Sequence, residues 1–304
     1  MIMKREPVIN SLQIINNHKL EILQKGRSGP LIVILTGMGC SFEEWYEVTE
    51  ELRKTTQVLM YHRPGLGDSE LGAEVRNTFA TVQDLYELLH FLKVKEPIYL
   101  VGHSYGGLCA QHFVKVHPEM VAGMVLVDST SVNVRELDEL DLPVLNEESD
   151  EKWVLKCLEY ASKEKEQLTS IIQPSLLEKH KQFPVDIQER LISFQCNPSL
   201  YKAMASEIQN WKKDAEIIKK LNELTNTPLV VIGRDKEHSI LSDSEADIPE
   251  WELRTFEEKW EELIIQQGNL SENSDVIFAE GAGHSIFLNR PDVVVDSVLK
   301  ITGK

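Results

Sequence analysis

Cysteine is scarce: Cys40, Cys109, Cys157 and Cys196 are the only four in 304 residues, and no two stand in a C-x-x-C spacing. This argues against a disulfide framework and against a cysteine zinc site, and the four are expected to be reduced thiols. No run of eighteen apolar residues occurs, so no membrane-spanning helix is expected. The first twelve residues include Lys4, Arg5 and Glu6 and lack an apolar stretch of signal-peptide length, from which a cytoplasmic protein is expected. Positive charge is also in short supply, with 32 Lys and Arg against 49 Asp and Glu and a net charge of −17. Such a chain has no basic stripe to neutralise phosphates, so neither nucleic acid nor an anionic membrane is an expected partner. The acidic surplus reads as a solvated surface. Internal repeats and low-complexity tracts are missing too.

What is present is apolar content of 42%, enough to fill a sizeable core. Short β-like stretches at Leu12 to Asn16 and Leu20 to Gln24 precede a buried-strand pattern at Leu31 to Leu35, which runs into Thr36-Gly37-Met38-Gly39. Val58 to Tyr61 reads as a strand. Val82, Leu85, Leu89 and Leu92 then recur at helical spacing, and Ile98 to Val101 is another apolar run. A helix from Ser104 to about Val116 and a strand at Met124 to Val127 continue the alternation. The pattern predicts a doubly wound α/β fold with a mostly parallel sheet covered on both faces.

After Ser131 the alternation stops. Charged helical stretches around Trp153 to Tyr160 and Leu200 to Trp211, broken by Pro143, Pro174, Pro184 and Pro198, predict a helical cap over residues 131–225, inserted into a core made of 1–130 and 226–304. The stripe Leu200, Met204, Ile208 and Trp211 would either pack the cap down or face a substrate pocket. Strand and helix return at Leu229 to Ile232, at a helix whose Leu253, Phe256, Trp260, Leu263 and Ile264 share a face, at Val276 to Ala279, and after Pro291.

Gly102-His103-Ser104-Tyr105-Gly106 fits G-x-S-x-G, in which glycines let a strand turn sharply into a helix and lift the serine hydroxyl clear of the sheet. A chain of this length shows the pattern by chance roughly one time in ten, so its setting decides. Here it lies between an apolar run and a helix, which makes Ser104 the candidate nucleophile. A serine hydroxyl needs a base, and of nine histidines His284 stands out, because a strand and the turn Gly281-Ala282-Gly283 precede it. His103 sits inside the elbow with its ring expected to face away from the serine, and His62, His112 and His117 read as packing or surface residues. Two main-chain donors for an oxyanion would come from Tyr105 and, in the glycine loop beside Gly37, from Met38. No cofactor or metal is implied.

These segments together resemble the α/β-hydrolase superfamily of the esterase and lipase type. Thr36-Gly37-Met38-Gly39 with Trp45 resembles its oxyanion segment, and Tyr61-His62-Arg63-Pro64-Gly65-Leu66-Gly67-Asp68-Ser69 resembles the arginine-glycine turn after the next strand. His117-Pro118-Glu119 through Asp128, and Gly283-His284 followed by Arg290-Pro291-Asp292, resemble the later stretches. The order nucleophile, acid, histidine fits Ser104 and His284. Thr36 departs from the histidine usual at that point. The elbow differs from the Gly-Gly-Ser-Trp-Gly of proline iminopeptidases, which argues against aminopeptidase activity, and a serine nucleophile argues against haloalkane dehalogenase and epoxide hydrolase chemistry.

The resemblance implies hydrolysis of a small carboxylic ester or related acyl compound through an acyl-enzyme. Perhydrolase, thioesterase and carbon-carbon hydrolase chemistry use the same triad, and a ligand-binding scaffold with little or no turnover is the alternative of another class. A small molecule is the expected partner; oligomeric state stays open. The acid is divided between Asp128, after Val125 to Val127, and Asp235, the commoner site after a later strand, with Glu237 third. Gly233-Arg234-Asp235 is one residue shorter than the usual glycine-x-x-aspartate, and the extra length after it, expected to be a loop over roughly Lys236 to Pro249, also carries Asp243 and Asp247. Relatives with a tryptophan-rich helix before the last strand often lack an acid at that later site.

Overall fold

The computed structural model describes residues 9–15, 18–72, 75–221, 226–243 and 248–304; Lys4, Arg5, Glu6, Asn16 and Asp247 lie outside them. Among the described residues, eight strands form one sheet: β1 (Ile9–Ile15), β2 (His18–Lys25), β3 (Leu31–Leu35), β4 (Gln57–Tyr61), β5 (Ile98–His103), β6 (Val121–Val127), β7 (Leu229–Arg234) and β8 (Ser274–Ala279). Their spatial order is β1-β2-β4-β3-β5-β6-β7-β8. β1 and β2 form an antiparallel hairpin, β2 pairs antiparallel with β4, and every pair from β4 to β8 is parallel. The mostly parallel, doubly wound α/β sheet expected from the alternation is therefore present. Near-continuous burial along β3, β4, β5, β6 and β7 explains why those strands read as unbroken apolar runs.

Helices cover both faces. Behind one lie α2 (Thr78–Phe91) and α3 (Tyr105–Val116), whose Leu85, Leu88, Leu89, Cys109 and Phe113 pack on Val33, Leu59, Leu100 and Leu126. Behind the other lie α1 (Tyr46–Leu52) and the C-terminal α11 (Pro291–Thr302), joined by Trp45, Phe287 and Val298 against Ile32, Ile34 and Val125. Asn77 starts α2 earlier than the apolar spacing suggests, because its side chain accepts the Ala80 N–H at 2.8 Å.

The connection from β6 to β7 carries α4 (Asp150–Ala161), α5 (Lys165–Ile172), α6 (Val185–Gln195) and α7 (Pro198–Lys219), after short 3-10 turns at Val134–Leu137 and Leu145–Glu147. Residues 222–225, the end of the expected insertion, lie outside the described residues. After β7 come α8 (Lys236–Asp243) and α9 (Glu250–Gln267), and after β8 a single turn, α10 (Ile286–Asn289). α8 falls in the stretch expected to be loop. Its sequence is too short and polar to show a period, yet Asp235 starts it by accepting the His238 N–H at 3.1 Å. Among the described residues no helix is long and apolar enough to cross a membrane.

Candidate active site

β5 ends at His103 and α3 begins at Tyr105, leaving Ser104 alone between them at φ 52° and ψ −123°. That left-handed backbone is costly for a residue with a Cβ and occurs where surrounding contacts impose it. Here the Ser104 N–H donates to Val127 O at 3.3 Å, and Ser104 O accepts from Gly107 N at 2.9 Å and Thr130 N at 3.1 Å. The elbow also requires close backbone approach. A Cβ on Gly106 would lie 2.2 Å from Leu35 O, and one on Gly102 would lie 2.6 Å from the Gly107 Cα.

His284 follows the turn after β8, and its side chain is 42% exposed. Its Nδ1 lies 2.5 Å from Asp128 Oδ2, and since a carboxylate only accepts, Nδ1 carries the proton and Nε2 is left as the basic nitrogen. Asp128 is fully buried at the end of β6. Its other acceptor sites are filled by Trp260 Nε1 at 2.9 Å, Arg234 N at 3.2 Å and Arg234 Nη1 at 3.1 Å. Burial alone would raise the Asp128 pKa, but the Arg234 charge, the His284 hydrogen bond and the Trp260 N–H together hold it well below the usual carboxylate range. Asp128 therefore stays ionised wherever the protein is folded near neutrality.

Asp235, the other leading candidate for the acid, does not meet His284. Its carboxylate accepts the Gly281 N–H at 2.9 Å and the His238 N–H at 3.1 Å, so it fastens α8 to the turn that leads toward the histidine. Glu237 is exposed and pairs with Arg254 at 2.8 Å. Arg234, between Gly233 and Asp235, reaches Asp128 with its guanidinium at 3.1 Å and Glu257 with Nε at 2.8 Å. Arg234, Trp260 and His103 all contact the pair of Asp128 and His284, and no local sequence pattern marks them as site residues. His103 is buried and donates from Nε2 to the His284 carbonyl at 3.0 Å, while burial and then the nearby His284 lower its pKa to about 3, so it stays neutral.

Tyr105 opens α3, where the first N–H groups of a helix have no partner within it. Met38 lies in the turn closed by the Cys40 N–H on Gly37 O at 3.3 Å. Thr36, in the place where histidine is usual, donates its hydroxyl to Cys40 O at 3.1 Å, and buried Arg63 donates to Thr36 O at 2.8 Å and Gly37 O at 3.0 Å. A cleft of about 880 Å³ opens nearby between α4, α7 and α9; Val154, Leu155, Ile208, Trp211, Phe256 and Trp260 form apolar parts of its wall. The α7 stripe thus splits: Ile208 and Trp211 line the cleft, whereas Leu200 packs against Leu66 and Phe194.

A second serine, histidine and acid stand together elsewhere. Ser41 Oγ is 3.4 Å from His62 Nε2, and His62 Nδ1 is 2.7 Å from Glu21 Oε2. All three are buried, and the Phe42 N–H occupies His62 Nε2 at 3.1 Å, so this nitrogen is already an acceptor within the fold. Arg190 of α6 pairs with both Glu21 and Glu43 there.

The family model described as alpha/beta hydrolase fold matches residues 30–168, the stretch that contains the glycine loop, the elbow and Asp128. Over those residues, and in the sheet order above, the chain is similar to the α/β-hydrolase superfamily. It is 32% identical over 105 residues to YqjL of Bacillus subtilis, a match covering 34% of this chain and 42% of that protein. The chain thus spans less than half the length of that relative. It is 22% identical over 274 residues to a monoacylglycerol lipase of Mus musculus, covering 88% of this chain and 74% of the lipase. Among solved structures, a Vigna radiata epoxide hydrolase mutant superposes with a TM-score of 0.69 at 16% identity over 97% of this chain and 98% of that one, a likeness of fold.

Proposed function

We propose that this protein is a serine hydrolase that cleaves a small carboxylic ester or related acyl compound through an acyl-enzyme on Ser104. The observation that carries this reading is the 2.5 Å contact from His284 Nδ1 to ionised Asp128, which leaves Nε2 free to act as a base near the Ser104 elbow. Ser104 Oγ attacks the carbonyl as its proton passes to His284 Nε2, and Asp128 holds the ring in the right tautomer and stabilises the imidazolium. The Met38 and Tyr105 amides bind the developing oxyanion. His284 then protonates the departing alkoxide, and water, deprotonated by the same nitrogen, releases the acid. The apolar wall of the adjoining cleft suits the hydrocarbon part of such a substrate, and the similarity to a monoacylglycerol lipase agrees with ester chemistry.

Epoxide opening is disfavoured despite the fold likeness. A carboxylate nucleophile forms an ester that water reverses, whereas serine attacking an epoxide carbon would form an ether that water does not cleave. The remaining rival is a ligand-binding scaffold without turnover. A fluorophosphonate probe separates the two: wild-type protein should label at Ser104, and Ser104→Ala should lose both label and at least roughly 10³-fold in kcat on an ester panel. Undiminished turnover in Ser104→Ala would refute the assignment.

A further inference from the structure

We propose that Glu207, on α7 in the connection between β6 and β7, is a positioning residue that sets the oxyanion site through Arg63. The inference rests on the Ser104 reading above and adds to it a control point outside the sheet. Glu207 and Arg63 are both buried, 1% and 2% exposed, and are separated by 144 residues of chain. They form a two-pronged pair, Nε to Oε1 at 2.7 Å and Nη2 to Oε2 at 3.1 Å. Such a fork fixes the plane of the guanidinium as well as its position.

The guanidinium's other hydrogen bonds go to the glycine loop. Nη1 donates to Thr36 O at 2.8 Å and Nη2 to Gly37 O at 3.0 Å. The second bond matters most, because Gly37 C=O and Met38 N–H belong to one planar peptide group. Gripping the oxygen fixes the direction of the N–H on the opposite side and strengthens it as a donor. The same guanidinium carbon lies 5.1 Å from the centre of the Tyr105 ring, so one cation meets Tyr105 and the peptide group that carries the Met38 N–H. Removing the Glu207 charge frees the guanidinium to rotate, and the Met38 N–H loses its fixed aim.

A pair that merely fastened α7 to the core would behave differently. α7 has other anchors, including Asp214 Oδ2 on the Thr78 N–H at 2.8 Å and Ser206 Oγ on the Arg76 N–H at 2.9 Å. Oxyanion donors act chiefly in the transition state, so their misalignment lowers kcat more than it raises KM.

The test compares wild type, Glu207→Gln and Glu207→Asp on p-nitrophenyl butyrate, well below each melting temperature, with fluorophosphonate labelling and alkylboronic acid inhibition alongside. The boronic acid reports on the oxyanion site directly: Ser104 Oγ adds to boron, the serine proton passes to His284, and the tetrahedral boron takes the negative charge. Outright loss of a donor costs about 10²–10³-fold, so misalignment in Glu207→Gln should cost roughly 10–100-fold in kcat with KM within about threefold. Boronate affinity should fall in parallel with kcat/KM, and Ser104 should still label to full stoichiometry. Glu207→Asp, which keeps the buried charge and guards against unfolding, should recover part of the loss. Unchanged kcat and boronate affinity with only a lower melting temperature would overturn the Glu207 proposal while leaving the Ser104 reading intact, as would a rise in KM alone. A wild type that does not label at Ser104 would overturn both.

Discussion

Two clusters in this protein join a serine, a histidine and a carboxylate, and their hydrogen bonds look alike: His284 on Asp128 at 2.5 Å, and His62 on Glu21 at 2.7 Å. They differ in what lies on the far side of the ring. His284 is 42% exposed and borders a cleft wall at Trp260, whereas His62 is sealed, stacked on Phe42 at 3.7 Å, with Nε2 taken by a backbone N–H. A carboxylate holding a histidine is thus a structural device in one place and, in our reading, a catalytic one in the other. Access and a free nitrogen make the difference.

The comparison is sharpest in carboxylate-to-amide exchanges. Asp128→Asn should keep the fold and lose roughly 10⁴-fold in kcat, because Nδ1 no longer has an acceptor that enforces its tautomer. Full activity in that variant would break the contrast. Glu21→Gln should leave kcat nearly unchanged while lowering stability by about 3 kcal/mol, since it leaves Arg190 and His62 short of a buried partner. Chemical denaturation of both variants beside steady-state assays reads the two effects separately.

Acid provides the next test. Burial pushes the Glu21 pKa up, but the His62 hydrogen bond, the Asp68 N–H and Arg190 outweigh it and bring the value down to about 2 from an ordinary 4.5. A depressed carboxylate contributes stability that is fully present above its unfolded pKa and is lost as pH falls through the folded one. Wild type should therefore lose stability between about pH 4.5 and pH 2 more steeply than Glu21→Gln. Equal slopes in urea titrations over that window would show that the sealed cluster contributes nothing of this kind. The smallest effect belongs to Asp235→Asn, which should cost about 0.5–2 kcal/mol through the α8 cap and the Gly281 contact, with kcat within about threefold of wild type. A kcat loss near that of Asp128→Asn would restore Asp235 as the acid.

How far these clusters could be read from the chain follows from the range of the interactions that make them. The elbow around Ser104 and the glycine turn before His284 are local patterns, as are the apolar strand runs, and these were legible. The choice between Asp128 and Asp235 was not, because both follow strand ends and only the path of the β8 turn decides which one His284 reaches. Trp260 and Arg234 approach Asp128 across 132 and 106 residues, and no local spacing foretells that. α8 escaped notice for the opposite reason: Lys236–Asp243 is held by a cap and ion pairs, and so carries no strong apolar signature.

Ser104 and Asp128 share one more property. Among the described residues only Lys93 and Gln173 join them as non-glycine positions with positive φ. At Ser104 the chain holds a conformation that glycine would adopt at less cost. Durability and reactivity therefore pull against each other at this position. Ser104→Gly should melt higher than Ser104→Ala, by about 1 kcal/mol of stability, and be equally inert. Selection for heat resistance alone would find Ser104 an easy residue to discard, because its strained turn contributes no stability.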